Sequence, residues 1–163
     1  MNANSLHFCV DLAKVGAMGS LAPYSQDAMA AYVRHGLSSE DRLYYQLVSE
    51  LSLDSAAFMP QRVLCTAGQP VTDAYIVRQG ELELRAEGAS YRVGPGAVIG
   101  LAAGLADLPH TMTAVATTVV TASVIPIFKA LKAWSTAHPG LRGINRNTIL
   151  RVLDLQTVPP SLK

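Results

Sequence analysis

Four histidines, two cysteines and a recurrent set of glycines are the residues through which this 163-residue chain could do chemistry. His7, His35, His110 and His138 are far apart and share no ligand spacing, and Cys9 and Cys65 form no CxxC pair. Neither a zinc nor an iron–sulfur site is expected from them. A Cys9–Cys65 disulfide has no spacing to support it. No serine sits in a Gly-x-Ser-x-Gly elbow, and no Gly-x-x-x-x-Gly-Lys-Ser/Thr phosphate loop occurs. Asp107 stands apart from any second acid–base group, and Glu81 and Glu83 read as the charged face of a strand. With no catalytic constellation, the chain is read as non-enzymatic, without metal or cofactor.

Composition bounds the setting. Hydrophobic residues make up 50% and charged residues 15%, which excludes a disordered polyelectrolyte. No apolar run reaches the ~18–20 residues of a membrane helix. The first residues lack a basic n-region, and Asp11 and Lys14 interrupt any apolar core of a secretion signal. A cytoplasmic, reducing location is expected. The net charge of +1 is uneven: residues 1–107 hold 7 Lys/Arg against 11 Asp/Glu, and residues 108–163 hold 6 Lys/Arg against Asp154 alone. Such scattered surface charge reads as a solvated helix face, although a basic third can also attract an anionic partner.

The elements that must position these residues fall into three zones. Residues 1–60 read as an N-terminal helical segment. Ser25 can cap a helix ending near Gly36, and Ser38 with Asp41 forms a capping signature. Leu43, Leu47, Val48 and Leu51 then follow at helical spacing. Residues 61–127 change period. Leu82 and Leu84 alternate with Glu81, Glu83 and Arg85, a turn is expected at 87–90, and Met112, Ala114 and Ala116 alternate again. Glycines at 68, 80, 88, 94, 96, 100 and 104 punctuate these short strands. Residues 128–163 read as C-terminal helices and tail. Ile127, Leu131 and Trp134 lie on one face, Trp134 reads as core or interface, and Pro139 opens a helix carrying Ile149, Val152 and Leu153 inward.

The ordered set of turns carries a resemblance. Ala67–Gly68–Gln69–Pro70, then Ala74–Tyr75–Ile76–Val77, Gly80 and the alternating Glu81 to Leu84 resemble the first half of a cyclic-nucleotide-binding domain. Val93–Gly94–Pro95–Gly96–Ala97–Val98–Ile99–Gly100 resembles the turn before that family's phosphate-binding cassette, and Thr113 to Ala116 resembles the strand that closes it. Phe128 to Leu153 resembles the two helices after the roll. The likeness covers roughly residues 60–155. It implies an α+β fold: an antiparallel β-roll of the double-stranded β-helix or jelly-roll type, flanked by N- and C-terminal helices.

It also implies where a ligand would sit. In the family a glutamate after the cassette glycine holds the ribose 2′-hydroxyl, and a later arginine grips the cyclic phosphate. Here Leu101 stands at the glutamate position and His110 at the arginine position, while Thr113 keeps a small hydroxyl residue. The cassette positions are therefore Gly100, Leu101, Ala102, Ala103, His110, Thr111 and Thr113. Losing two charge-assisted contacts weakens binding by ~3–6 kcal/mol, roughly 10²–10⁴-fold. Histidine lacks the bidentate fork of arginine and is only partly charged at neutral pH. His110 reads by default as a surface residue, with a pH-sensitive contact or a weak phosphate ligand as alternatives. A short helix over Leu101 to Leu105 would still offer backbone amides to an anion.

The expected function is a non-enzymatic regulatory module that works by protein–protein interaction, with weak or no cyclic AMP or cyclic GMP binding. The alternative is a small-ligand or cyclic-nucleotide sensor with an altered pocket. About eight residues follow Leu155, too few for the helix-turn-helix of DNA-binding relatives, so no direct DNA contact is expected. A homodimer through the C-terminal helices and an unidentified protein partner are expected. Leu101→Glu with His110→Arg is expected to restore nucleotide binding if the cassette backbone is intact.

Overall fold

The computed structural model describes residues 7–163; the beginning of the expected 1–60 helical segment lies outside the described residues. A two-residue strand, β1 (Phe8–Cys9), leads into α1 (Leu12–Ala17), α2 (Gln26–Arg34) and α3 (Ser39–Val48). The capping residues legible in the sequence start these helices. Ser25 Oγ accepts from the Ala28 amide, and Ser38 and Asp41 form a reciprocal capping box. The buried Asp41 carboxylate also accepts from the Asp11 amide at 2.8 Å, while Asp11 caps α1. One carboxylate thus ties the starts of α1 and α3 together.

The roll is built from β2 (Asp54–Phe58), β3 (Val63–Cys65), β4 (Asp73–Gln79), β5 (Leu82–Ala86), β6 (Ala89–Val93), β7 (Ala97–Ile99), β8 (Thr113–Ala116) and β9 (Val120–Pro126). A short helix, α4 (Leu101–Leu105), lies between β7 and β8, and α5 (Ile127–Thr136) and α6 (Pro139–Leu153) follow. One sheet runs β1-β7-β4-β9-β2 and the other β3-β8-β5-β6, with every pairing antiparallel. This is the expected antiparallel roll flanked by helices.

Strand periodicity sorts the side chains. Val77, Leu82, Leu84, Ile99, Met112, Ala114, Ala116, Val120 and Ala122 fill the space between the sheets. On the other face of the five-stranded sheet, Ala74, Ile76, Val98 and Ile125 pack with Leu43, Leu47, Trp134, Ile149 and Val152 from the helices. Trp134 is therefore a core residue. A third cluster joins Met18, Ala28, Ala31, Tyr32, Leu37 and Tyr45 among the N-terminal helices.

The structure differs from the sequence reading in two places. The sheets extend outside residues 61–127, because β1 and β2 form edge strands within the stretch read as helical. Asp54–Phe58 has no alternating apolar pattern; its conformation comes from the ladder offered by β9. The β5–β6 turn is Glu87–Gly88 alone, since Ala86 pairs with Ala89. Cys9 and Cys65 are both free thiols.

Candidate functional site

The region between β7 and β8 forms around Gly100. Its φ of 86° lies in the left-handed region, where glycine avoids the strain a side chain would meet, and this turn starts α4. The His110 ring packs against it: a Cβ on Gly100 would stand 2.8 Å from His110 Cε1 and 3.3 Å from Nδ1. Gly104 makes a second close approach, because a Cβ there would collide with the Ile127 side chain and press on Val71. All five residues of α4 are buried. Its far end is held by the C-terminal tail, where Ser161 Oγ donates to the Leu105 carbonyl at 2.7 Å and Leu162 is fully buried.

Leu101 has no exposed surface and belongs to the core shared by the sheet and the helices. Its side chain makes apolar packing contacts there. His110 is buried, at 8% exposure, which corrects its reading as a surface residue. Its backbone explains the position: the His110 amide donates to the Gln69 carbonyl and the Gly68 amide donates to the His110 carbonyl, each at 2.9 Å. The loop after β3 thereby draws residue 110 inward. Burial lowers the His110 pKa below the ordinary imidazole value, so the ring is mainly neutral at pH 7.

Gly100, Ala102, Ala103, His110 and Thr111 share one cavity. Leu101 and Thr113 do not line it. The Thr113 hydroxyl instead accepts from the Ala67 amide at 3.0 Å, tying β8 to the loop after β3. The cavity measures about 10 Å³, room for roughly one water. Small-molecule pockets usually measure about 300–1,000 Å³. His7 also lines it, a residue that sequence spacing gave no reason to select. The pairing of Phe8 with Val98 delivers His7 there, and its Nδ1 lies 3.0 Å from the Tyr91 hydroxyl. Burial lowers the His7 pKa as well. Leu153 of α6 also lines the cavity.

Residues 56–133 match the family model described as the cyclic nucleotide-binding domain. This stretch is similar to that family. The matched stretch runs from β2 into α5 and includes α4. Comparison with curated protein sequences gives no significant match.

Among solved structures, the cAMP-bound form of EAL enzyme Bd1971 superposes with a TM-score of 0.55 and 17% identity, over 62% of this chain and 29% of the enzyme chain. Its cGMP-bound form gives 0.55 and 17% over 61% and 28%. The N-terminal domain of a transcriptional regulator from Streptomyces coelicolor A3(2) gives 0.50 and 20% over 67% and 86%. The chain thus spans less than a third of the enzyme it matches, and the likeness at these identities is one of fold. Among the described residues, no helix is long and apolar enough to cross a membrane, and no group of metal-ligating side chains assembles.

Proposed function

We propose that this domain is a non-enzymatic, cytoplasmic regulatory module that acts by contact with protein and holds cyclic AMP and cyclic GMP weakly or not at all. The complete burial of Leu101 in the core carries the reading. At the cassette positions expected to meet ribose and phosphate stand a buried leucine and a buried imidazole whose pKa is lowered, and the cavity beside His110 is about 10 Å³. A domain that keeps the roll while filling the ligand space has its surface left for signalling. Titration calorimetry of the full chain with cyclic AMP and cyclic GMP tests this. The expected result is no saturable heat at micromolar concentrations. Low-micromolar binding accompanied by amide shifts at Gly100 to His110 overturns it.

A sensor reading has one observation in its favour: the fold relative above is named in cAMP-bound and cGMP-bound forms. The same titration decides between the two. The proposed partner includes a second copy of this chain, through the C-terminal helices. Ile149 and Val152 support the chain's own core, which leaves Phe128 at 70% and Ile144 at 61% exposure as the apolar contacts available on α5 and α6. Sedimentation across a wide concentration range should show a dimer; monomer mass throughout removes this part of the proposal.

A further inference from the structure

A larger cavity lies beside the N-terminal helices. It measures about 320 Å³, opens to solvent, and lies where α1 and α3 meet the outer face of β4 and β9. Its apolar lining includes Val48, Leu51 and Leu53. Its polar lining includes Arg78, Tyr44 and Ser123.

Arg78 is placed there by an irregularity in the sheet. Val77 pairs with Ala122 and Gln79 with Thr121, so Arg78 is the extra residue of a β-bulge in β4. Bulges re-aim side chains and are common beside functional sites. Here Ala74 and Ile76 face the helix-side core, and the next side chain toward the helices is a guanidinium.

Two hydroxyls hold that guanidinium. Arg78 Nε donates to Ser123 Oγ at 3.1 Å and Nη2 donates to Tyr44 Oη at 3.3 Å. Both partners are neutral. Arginine has five N–H donors, so the hydroxyls orient the group without exhausting it. No carboxylate lines the cavity, and among the described residues none forms an ion pair with Arg78.

The geometry points to a binding site for a small oxyanion carried on an apolar body, either a carboxylate or a phosphate monoester. Arg78 anchors the anion through its remaining donors, with Tyr44 and Ser123 holding the fork in place. Val48, Leu51 and Leu53 receive the apolar body. The volume falls in the ordinary range for a small-molecule pocket, unlike the cavity beside His110. This site is independent of how the cassette region is read.

The test uses benzoate and phenyl phosphate as probes, with benzyl alcohol as the neutral control, added to the ¹⁵N-labelled full chain in phosphate-free buffer. The expected result is saturable amide shifts in residues 44–53, 78 and 123 with at least one anion, and none with benzyl alcohol. Which anion binds more tightly distinguishes the carboxylate from the phosphate source. Arg78→Gln should weaken binding by roughly ten-fold or more, the loss expected when a charge-assisted bond is removed. Ser49→Asp, an exposed change on the cavity lining, should weaken it through charge repulsion even if Arg78→Gln disturbs the fold. Absence of saturable shifts with either anion to ~10 mM, a millimolar limit of weak affinity, overturns the site. Equal binding of benzyl alcohol, or unchanged anion affinity in folded Arg78→Gln protein, also overturns it.

Discussion

The imidazole of His110 packs where a side chain on Gly100 would project, so that even a methyl group there would meet Cε1 at 2.8 Å. Residue 100 also has a φ of 86°. Gly100→Ala therefore combines a left-handed backbone with a ring contact and should destabilise the fold by ~1–3 kcal/mol. Chemical denaturation of the variant checks this. Pairing it with His110→Ala should recover the part due to the ring and leave the part due to φ.

Leu101→Glu is expected to unfold the domain before it restores ligand binding. The leucine is fully buried in the main core, so the change removes apolar packing and places a carboxylate in an apolar cluster. The cost should be at least ~3 kcal/mol. The gain anticipated from Leu101→Glu with His110→Arg requires residue 101 to leave the core position its side chain occupies. A cooperative fold with near-native stability, together with new cyclic AMP affinity, would contradict this expectation.

Stability should fall as the solution is acidified from pH 7 toward 5. His7 and His110 both have pKa values lowered by burial, so each is protonated more readily in the unfolded chain than in the fold. Their contribution is fully present above the unfolded value near 6.5 and is lost as pH falls from there through the lowered folded values. Denaturation midpoints measured across this range should drop. The drop should be smaller in His110→Asn and smaller again when His7→Asn is added.

A buried amide pair joins the N-terminal helices to the last helix. Asn145 Nδ2 donates to Gln46 Oε1 at 2.6 Å, with Asn145 3% and Gln46 7% exposed. Asn145→Ala leaves Gln46 without this partner and should cost ~1–3 kcal/mol. Replacing both with leucine should cost less than the single change, because no polar group is then stranded. Equilibrium denaturation of the single and double variants measures the difference.

The local devices were legible before any tertiary contact was known. Ser25, Ser38 and Asp41 signal helix starts by side-chain chemistry acting over three residues, and Leu82 and Leu84 signal a strand by alternation. The glycines from 94 to 100, with Thr113 to Ala116, order the turns of the roll. All of these depend on near neighbours in sequence, so the fold class was readable from the chain itself. Tertiary structure decided the site. Leu101 is equally apolar whether it faces a ligand space or a core, and only the packing of α4 against α5 and the sheet makes it a core residue. His110 looked like a surface histidine because its burial depends on hydrogen bonds to Gly68 and Gln69, some forty residues upstream in the sequence. His7 reaches the same cavity through the pairing of β1 with β7, and Arg78 enters its own through a bulge opposite β9. These positions follow from long-range register, for which the periodicity of a single segment holds no signal.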